Sequence, residues 1–599
     1  MLLTALSVTL IFIVRKRKKM AILDRINSPK DVKKLTSQEL VELAQEVRQT
    51  VLHKVSNVGG HVGPNLGVTE LTIALHKVFD SPVDKFVWDV SHQTYPHKIL
   101  TGRKVGFTDG HFHDITPYTN QNESEHDFFT VGHTSTSIAN ALGLAKARDL
   151  TNGKGDRIAI IGDGSLSGGL AMEALNNAGD FDGNLIIIVN DNQMSIAENH
   201  GGLYRNLAEL RATKGQAENN LFKSFGLDYK YLEEGNDLEA LIALFEEVKG
   251  IDHPIVLHIH TEKGRGYLPA TENKEAFHWR GAFELETGAL KVTPAGKSYT
   301  SIMLDYMDQK LSEGIPLVAI NAAIPGIFGL KQFAAKYPER YIDAGIAEQF
   351  TITFGGAMAT EGVRPIIFHN STFLQRAYDQ LWHDIAINKE PAIIIVKGGV
   401  ISGSDETHQG SSAMTWISNI PNLKYLAPTS QEEFTAILDW ALAQHEEPVV
   451  IQLPEHGVES RTTVLTDFSE STYQLEKAGE KVALLALGGL YSHGEKVAAK
   501  LAEKGIHPTL VNPLFINDLD EDFLDKLTEN HEVIVTLEDG ILDGGFGQKV
   551  ASFLGKYDVK VLNYGAKREF NDSVPVSELY DRYHLTPELM AADILKLLK

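Results

Sequence analysis

Residues 157–192 read RIAIIGDGSLSGGLAMEALNNAGDFDGNLIIIVNDN. Two apolar, β-branched runs, Arg157–Ile161 and Leu185–Val189, flank a helical pattern through Met172–Asn177. Buried parallel strands read as such short runs separated by amphipathic helices. The first run ends in Gly162-Asp163-Gly164 and the second in Asn190-Asp191-Asn192. Gly162 and Gly164 are expected to let the backbone turn sharply and approach a phosphate. The helix that follows points its N-terminus at that anion. Asp163 and Asn192, 29 positions apart, fall at strand C-terminal ends, where open α/β sheets bind ligands. A carboxylate, an amide oxygen and phosphate oxygens make a hard site suited to Mg²⁺. A nicotinamide site is the rival for such a turn. Its G-x-G-x-x-G fingerprint, followed by an acidic residue about 20 positions on, is missing.

The same alternation runs through most of the chain. Further apolar runs include Ile255–Ile259, Pro365–Phe368, Ala392–Val396, Val449–Leu453, Val482–Leu487, Val533–Leu537 and Val559–Leu562. A buried helix could mimic one of them, but not the series, so the fold class is α/β with mainly parallel sheets flanked by helices. Composition turns to Glu, Thr, Gly and Pro around Leu285–Pro294, and to Ser, Thr and Glu around Ser460–Gly479. These boundaries predict three α/β domains, at about 20–290, 291–470 and 471–599. No repeat at solenoid periods is visible.

The chain has 599 residues, 43% hydrophobic and 23% charged, enough for several cores. A net charge of −23, spread along the chain with no acidic tail, argues against non-specific nucleic-acid binding. The absence of cysteine excludes disulfides, thiolate metal sites and thiol nucleophiles, and fits a cytoplasmic protein. Residues Leu2–Val14 are apolar and are followed by Arg15-Lys16-Arg17-Lys18-Lys19. The run is shorter than the roughly 20 residues a membrane span needs, and its charges lie on the wrong side for a signal peptide. Residues 1–19 are read as an extension ahead of Met20, and no membrane association is expected.

A second motif, Asp343-Ala344-Gly345-Ile346-Ala347-Glu348-Gln349, lies in the middle domain. GDG followed by NDN, together with IAEQ, resembles the signature of thiamine-diphosphate enzymes. More strings carry the resemblance: Gly59-Gly60-His61, His92-Gln93, Tyr95 to Arg103 (YPHKILTGR), Gly132-His133-Thr134-Ser135, Lys263-Gly264-Arg265-Gly266-Tyr267, Phe277-His278, Ser371 to Gln380 (STFLQRAYDQ) and Thr407-His408-Gln409-Gly410. From about Ser28 to the C-terminus the chain is similar to the 1-deoxy-D-xylulose-5-phosphate synthase family, within the transketolase-like group.

The resemblance implies a homodimeric transferase that joins a two-carbon unit from pyruvate to an aldehyde, glyceraldehyde 3-phosphate in the family, for isoprenoid and thiamine biosynthesis. It implies thiamine diphosphate and Mg²⁺ as cofactors. Asp163, Asn192 and the Met194 carbonyl would hold the metal. Gly162, Gly164, Ser165, Gly132, His133, Ser135 and His92 would line the cofactor. Phe373 would stack on its aminopyrimidine, with Arg376 in support. Glu348 would activate it, since a buried carboxyl group can hold a proton there. His61, His278 and His408 would converge on the reacting carbon, where imidazoles suit proton transfer near neutral pH. Lys397 and Asp405, with His61 and His408, would meet substrate. The third domain supplies no evident catalytic residue. His111 and His113 lie outside every matched string and are assigned no metal.

The chain departs from the family at the acceptor end. Glu455 stands where an Arg grips phosphate, Lys397 where another Arg stands, Ser404 and Asp405 where an Asp precedes the Thr, and Asn370 where a Tyr precedes STFLQR. At ~5 Å and an effective dielectric of about 20, each unit charge pair is worth roughly 3 kcal/mol. The sequence therefore predicts intact cofactor chemistry with a changed or weakened acceptor site. The segment after NDNQMS is shorter than in the family, so a different lid is expected. A transketolase proper and a non-catalytic thiamine-diphosphate-binding protein are the alternatives.

Overall fold

The computed structural model describes residues 21–293, 296–462 and 464–598. The reading of residues 1–19 as an extension ahead of Met20 concerns residues outside these.

Sixteen strands form three sheets. The first holds β1 (Lys85–Trp88), β2 (Arg157–Gly162), β3 (Leu185–Asp191), β4 (Asp228–Leu232) and β5 (Pro254–His260), in the order β1-β2-β3-β5-β4. The second holds β6 (Leu317–Asn321), β7 (Tyr341–Asp343), β8 (Arg364–Asn370), β9 (Ile393–Lys397), β10 (Lys424–Leu426) and β11 (Val449–Gln452), in the order β10-β11-β9-β8-β6-β7. The third holds β12 (Gln474–Lys477), β13 (Lys481–Ala486), β14 (Thr509–Asn512), β15 (His531–Ile541) and β16 (Lys560–Ala566), in the order β12-β14-β13-β15-β16.

Every pairing is parallel except that of β12 with β14. The nine runs picked out by composition are all strands. The edge strands β4, β7 and β12 are half-exposed, with polar residues interleaved, and this removes the apolar signal.

Strand alternation explains the layering. Ile158, Ile160, Ile186 and Ile188 enter one core, while Ala159, Ile161, Ile187 and Val189 enter the core on the opposite face. The second and third sheets share a core. Ile367, Ile394 and Val450 from one, and Ala483, Leu485, Val511 and Ile534 from the other, belong to a single buried cluster with Phe546 and Tyr425. Among the described residues no helix is long and apolar enough to cross a membrane.

Candidate active site

The C-terminal ends of the first and second sheets face each other, and the predicted residues lie between them. β2 ends in Gly162 and leads through a short turn, Gly164–Ser167, into the helix Gly169–Ala178. Asp163 is buried, and its carboxylate accepts from Asn199 Nδ2 at 2.8 Å. Burial, with the Asp191 carboxylate near, pushes the Asp163 carboxyl up to about 8. From the end of β3, the Asn192 side-chain oxygen is buried without a protein partner.

Such an acceptor, next to a desolvated carboxylate, suits a bound cation. Met194, next along, pairs with Glu198 across a tight turn. Asp191 is spent elsewhere, on His258 at 2.7 Å and on Arg211.

The two glycines of the turn play different parts. Neither Gly162 nor Gly164 has a positive φ, so no left-handed turn is needed. A Cβ on Gly162 would meet nothing within 4 Å, which leaves open space beside Asp163. A Cβ on Gly164 would fall 2.6 Å from Ser195 Cβ, so this glycine serves close packing.

The second half-site docks onto the same turn. Ser167 Oγ accepts from Ile346 N at 3.1 Å. Glu348 then opens the helix Glu348–Thr360. It is buried, which raises its pKa, although Arg376 NH1 at 3.9 Å opposes the rise. Arg376 also donates to Thr134 Oγ1 at 2.7 Å, bridging the two halves. His133 Nε2 lies 3.0 Å from Thr372 Oγ1 and 2.8 Å from the Thr407 carbonyl. Gly132 packs so tightly there that a Cβ would lie 1.9 Å from Thr407 Oγ1.

Ser135 differs from its expected role. Its hydroxyl donates to the Ser165 carbonyl at 2.8 Å, and its backbone N–H donates to Asp89, so it ties two loops together. All these contacts are within one chain.

The histidines converge. His92 lies between His61 and His278, with ring centroids 5.0 and 5.1 Å away. Burial holds all three well below the usual imidazole range, His92 at about 3. The Nδ1 atoms of His61 and His92 are buried without partners. His408 enters from the second half, 5.5 Å from His133 and 5.7 Å from Phe373. Its Nδ1 lies 3.2 Å from Asp405 Oδ1. Asp405, displaced by one residue from the family position, thus still orients His408.

Tyr118 was not picked out from the sequence. It stacks on His408 at 5.0 Å and meets His61 edge-on at 5.8 Å. Lys263 was also missed as a site residue. It is buried, lies 3.1 Å from His278 Nδ1, and burial lowers it to about 8. It follows β5 by three residues, so the strand-end rule that found Asp163 could have found it. Asn199 and Tyr118 sit in loops without periodicity and left no such signal.

The acceptor end needs one correction. Lys397 and Glu455 line a cleft of about 130 Å³ with Lys297 and Tyr299. No hydrogen bond or ion pair among the described residues joins Lys397 to His408 or Asp405. Glu455 is exposed, and its carboxylate accepts the Gly398 N–H at 3.1 Å. Solvent screens such a group, so the change of charge is worth about 0.2–1 kcal/mol rather than several. Asn370 accepts from Thr372 N at 3.0 Å, capping the turn Ser371–Leu374. His111 pairs with Asp114 at the surface.

Residues 23–218 match the profile of 1-deoxy-D-xylulose-5-phosphate synthase, 296–459 the transketolase pyrimidine-binding domain, and 471–590 the transketolase C-terminal domain. Fold and site define a transferase of the transketolase class whose cofactors are thiamine diphosphate and a divalent ion such as Mg²⁺.

The 1-deoxy-D-xylulose-5-phosphate synthase 1 of Geobacter sulfurreducens is 38% identical, over 93% of this chain and 94% of its own. The synthases of Clostridium beijerinckii and Clostridium acetobutylicum are each 37% identical, over 96% and 95% of this chain and 100% and 98% of theirs. The chain belongs to the 1-deoxy-D-xylulose-5-phosphate synthase family.

Proposed function

We propose that this chain decarboxylates pyruvate and transfers the two-carbon unit to glyceraldehyde 3-phosphate. The observation that supports the reading most is the convergence of five histidines from both halves within a single chain, with Glu348 tied to the first half through Arg376. Bound there, thiamine diphosphate supplies a carbanion at its thiazolium C2 and an electron sink for loss of CO₂.

The residues do the rest. Asp163, Asn192 and the Met194 carbonyl hold Mg²⁺, and Lys263 neutralises diphosphate charge. Glu348, whose pKa burial raises, manages the proton of the aminopyrimidine, and Phe373 stacks on that ring. His61, His92 and His278, neutral at pH 7, give hydrogen bonds to the pyruvate carbonyl and carboxylate without competing charge. His408, held by Asp405, handles the proton of the second substrate.

A second reading, a weakened grip on the acceptor phosphate, is favoured by Glu455 in the cleft that Lys397 and Lys297 line, and by Asp405 beside His408. CO₂ release from labelled pyruvate, measured with glyceraldehyde 3-phosphate and with unphosphorylated aldehydes, tests both. No release with any aldehyde sinks the first, and high efficiency with the phosphorylated aldehyde alone sinks the second.

The domains divide at about 290 and 470, each with its own sheet. The protein acts in the cytoplasm as a homodimer. Phe350, Tyr378 and Trp382 offer an exposed aromatic face for that contact. Sedimentation at micromolar concentration checks it, and a monomer would refute it.

A further inference from the structure

The Tyr118 ring touches a histidine of each half, His61 and His408, as the Phe373 ring does through His133 and His408. Its ring stacks on His408 at 5.0 Å with an interplanar angle of 21°, and meets His61 at 5.8 Å. The residue is 8% exposed, yet no hydrogen bond to its hydroxyl exists among the described residues. The hydroxyl is not among the fully buried unpaired atoms, so it reaches accessible space and is free to meet a ligand.

The loop that carries Tyr118 is fixed. Thr119 N donates to Ser91 Oγ at 2.8 Å, and Asn120 N donates to Asp127 Oδ2 at 3.0 Å. Asp127 is itself clamped by Arg103 at 2.6 and 2.9 Å. Glu123 accepts from Arg103 at 3.1 Å and also pairs with Lys98. So many buried ion pairs behind one short loop set the ring against His408 and remove the option of swinging out to water.

We propose that the Tyr118 hydroxyl is a catalytic hydrogen-bond donor to the aldehyde oxygen of the acceptor. The inference rests on the carboligase reading above. When the new carbon–carbon bond forms at the aldehyde carbon, the C=O π pair moves to oxygen. That oxygen takes a proton, delivered by His408, and becomes the product hydroxyl. Tyr118 donates a hydrogen bond to it throughout and keeps its own proton.

Burial and the Asp405 carboxylate hold the phenol well above its usual pKa, so it remains a donor. The same carboxylate argues against the other candidate oxygens. The carboxylate of a 2-oxo acid would be repelled by Asp405 beside Tyr118, whereas the uncharged carbonyl end of the acceptor would not.

The test is Tyr118→Phe in the holoenzyme, which keeps the ring and its stacking. Steady-state kinetics with pyruvate and varied aldehyde should show kcat/KM for the aldehyde lowered about 10- to 100-fold. Pyruvate affinity, read by near-UV circular dichroism titration without aldehyde, should stay within about twofold. An equal loss of pyruvate affinity, or an unchanged kcat/KM for the aldehyde, overturns the proposal. A wild-type enzyme that binds pyruvate yet releases no CO₂ with any aldehyde overturns the underlying reading, and this role with it, and the wild-type arm alone identifies that case.

Discussion

The three sheets of this chain meet at two junctions built from opposite materials. Between the first and second sheets the contacts are polar: Arg376 on Thr134, His133 on Thr407, Ser167 on Ile346 and Tyr118 on His408. Between the second and third sheets a single apolar core continues across, with Tyr425, Phe546 and Ile534 in one cluster. A polar junction can open a cleft and fill it with ligand, whereas a shared core resists separation. The proposed cofactor site lies at the first junction, and the shared core of the second packs against the strands that lead to Lys397 and Glu455.

The largest effect should come from Glu348→Gln at the polar junction. Removing a proton-handling carboxyl group should lower kcat by about 10²–10⁴-fold. Circular dichroism should show the fold unchanged, since the amide is isosteric. A loss under tenfold would mean that the two halves do not assemble their chemistry around this residue.

Phe546→Ala addresses the other junction. A fully buried phenylalanine in a shared core should cost about 3–5 kcal/mol of stability, read from urea unfolding. Pyruvate affinity of the remaining folded enzyme should change little. If affinity fell in step with stability, the separation between the two junctions would be wrong.

The junctions also differ in the sign of their pH dependence. Burial holds His133 at about 4 and His92 at about 3, below the unfolded value near 6.5. As pH falls the unfolded chain takes these protons first, so stability is full above about 6.5 and drains toward pH 4. Between pH 7 and 5 each such histidine should remove up to about 2 kcal/mol.

His456 at the second junction goes the other way. Asp539, 2.6 Å away, raises its pKa. Its contribution is present below about 6.5 and fades as pH rises through the folded value. Urea unfolding of wild type and His456→Gln at pH 6 and 8 separates the two. The substitution should cost more at pH 6, and a greater cost at pH 8 would reverse the assignment.

Much of the polar junction was legible in sequence, because its residues sit at strand ends or in short strings with fixed chemistry. Asp163 and Asn192 follow apolar runs, and Glu348 opens a helix directly after β7 and its turn. Lys263 obeys the same rule and was passed over. Tyr118 was not legible, since its place depends on a loop held by Arg103, Glu123 and Asp127 through contacts distant in sequence. Ser135 was read as lining the cofactor, and the partner of its hydroxyl is a backbone carbonyl that no string displays. At the acceptor end, composition gave the charge of Glu455 but not its exposure, and exposure sets the magnitude.

That exposure makes Glu455→Arg the smallest and most discriminating change. A buried reversal of sign near a phosphate would shift affinity by orders of magnitude. The exposed carboxylate, bonded to Gly398 N–H at 3.1 Å, is screened, so the gain from each favourable charge contact is about 0.2–1 kcal/mol. KM for glyceraldehyde 3-phosphate should fall only about two- to fivefold, and KM for pyruvate should not move. Loss of the carboxylate also frees the Gly398 N–H, which water can satisfy at this surface, so stability should change by less than about 0.5 kcal/mol. A fall in KM of a hundredfold would show that the bound acceptor excludes solvent from Glu455, and the original estimate of several kcal/mol would then stand. No change, with Lys397→Ala also silent, would place the acceptor phosphate away from the 130 Å³ cleft that these two residues line.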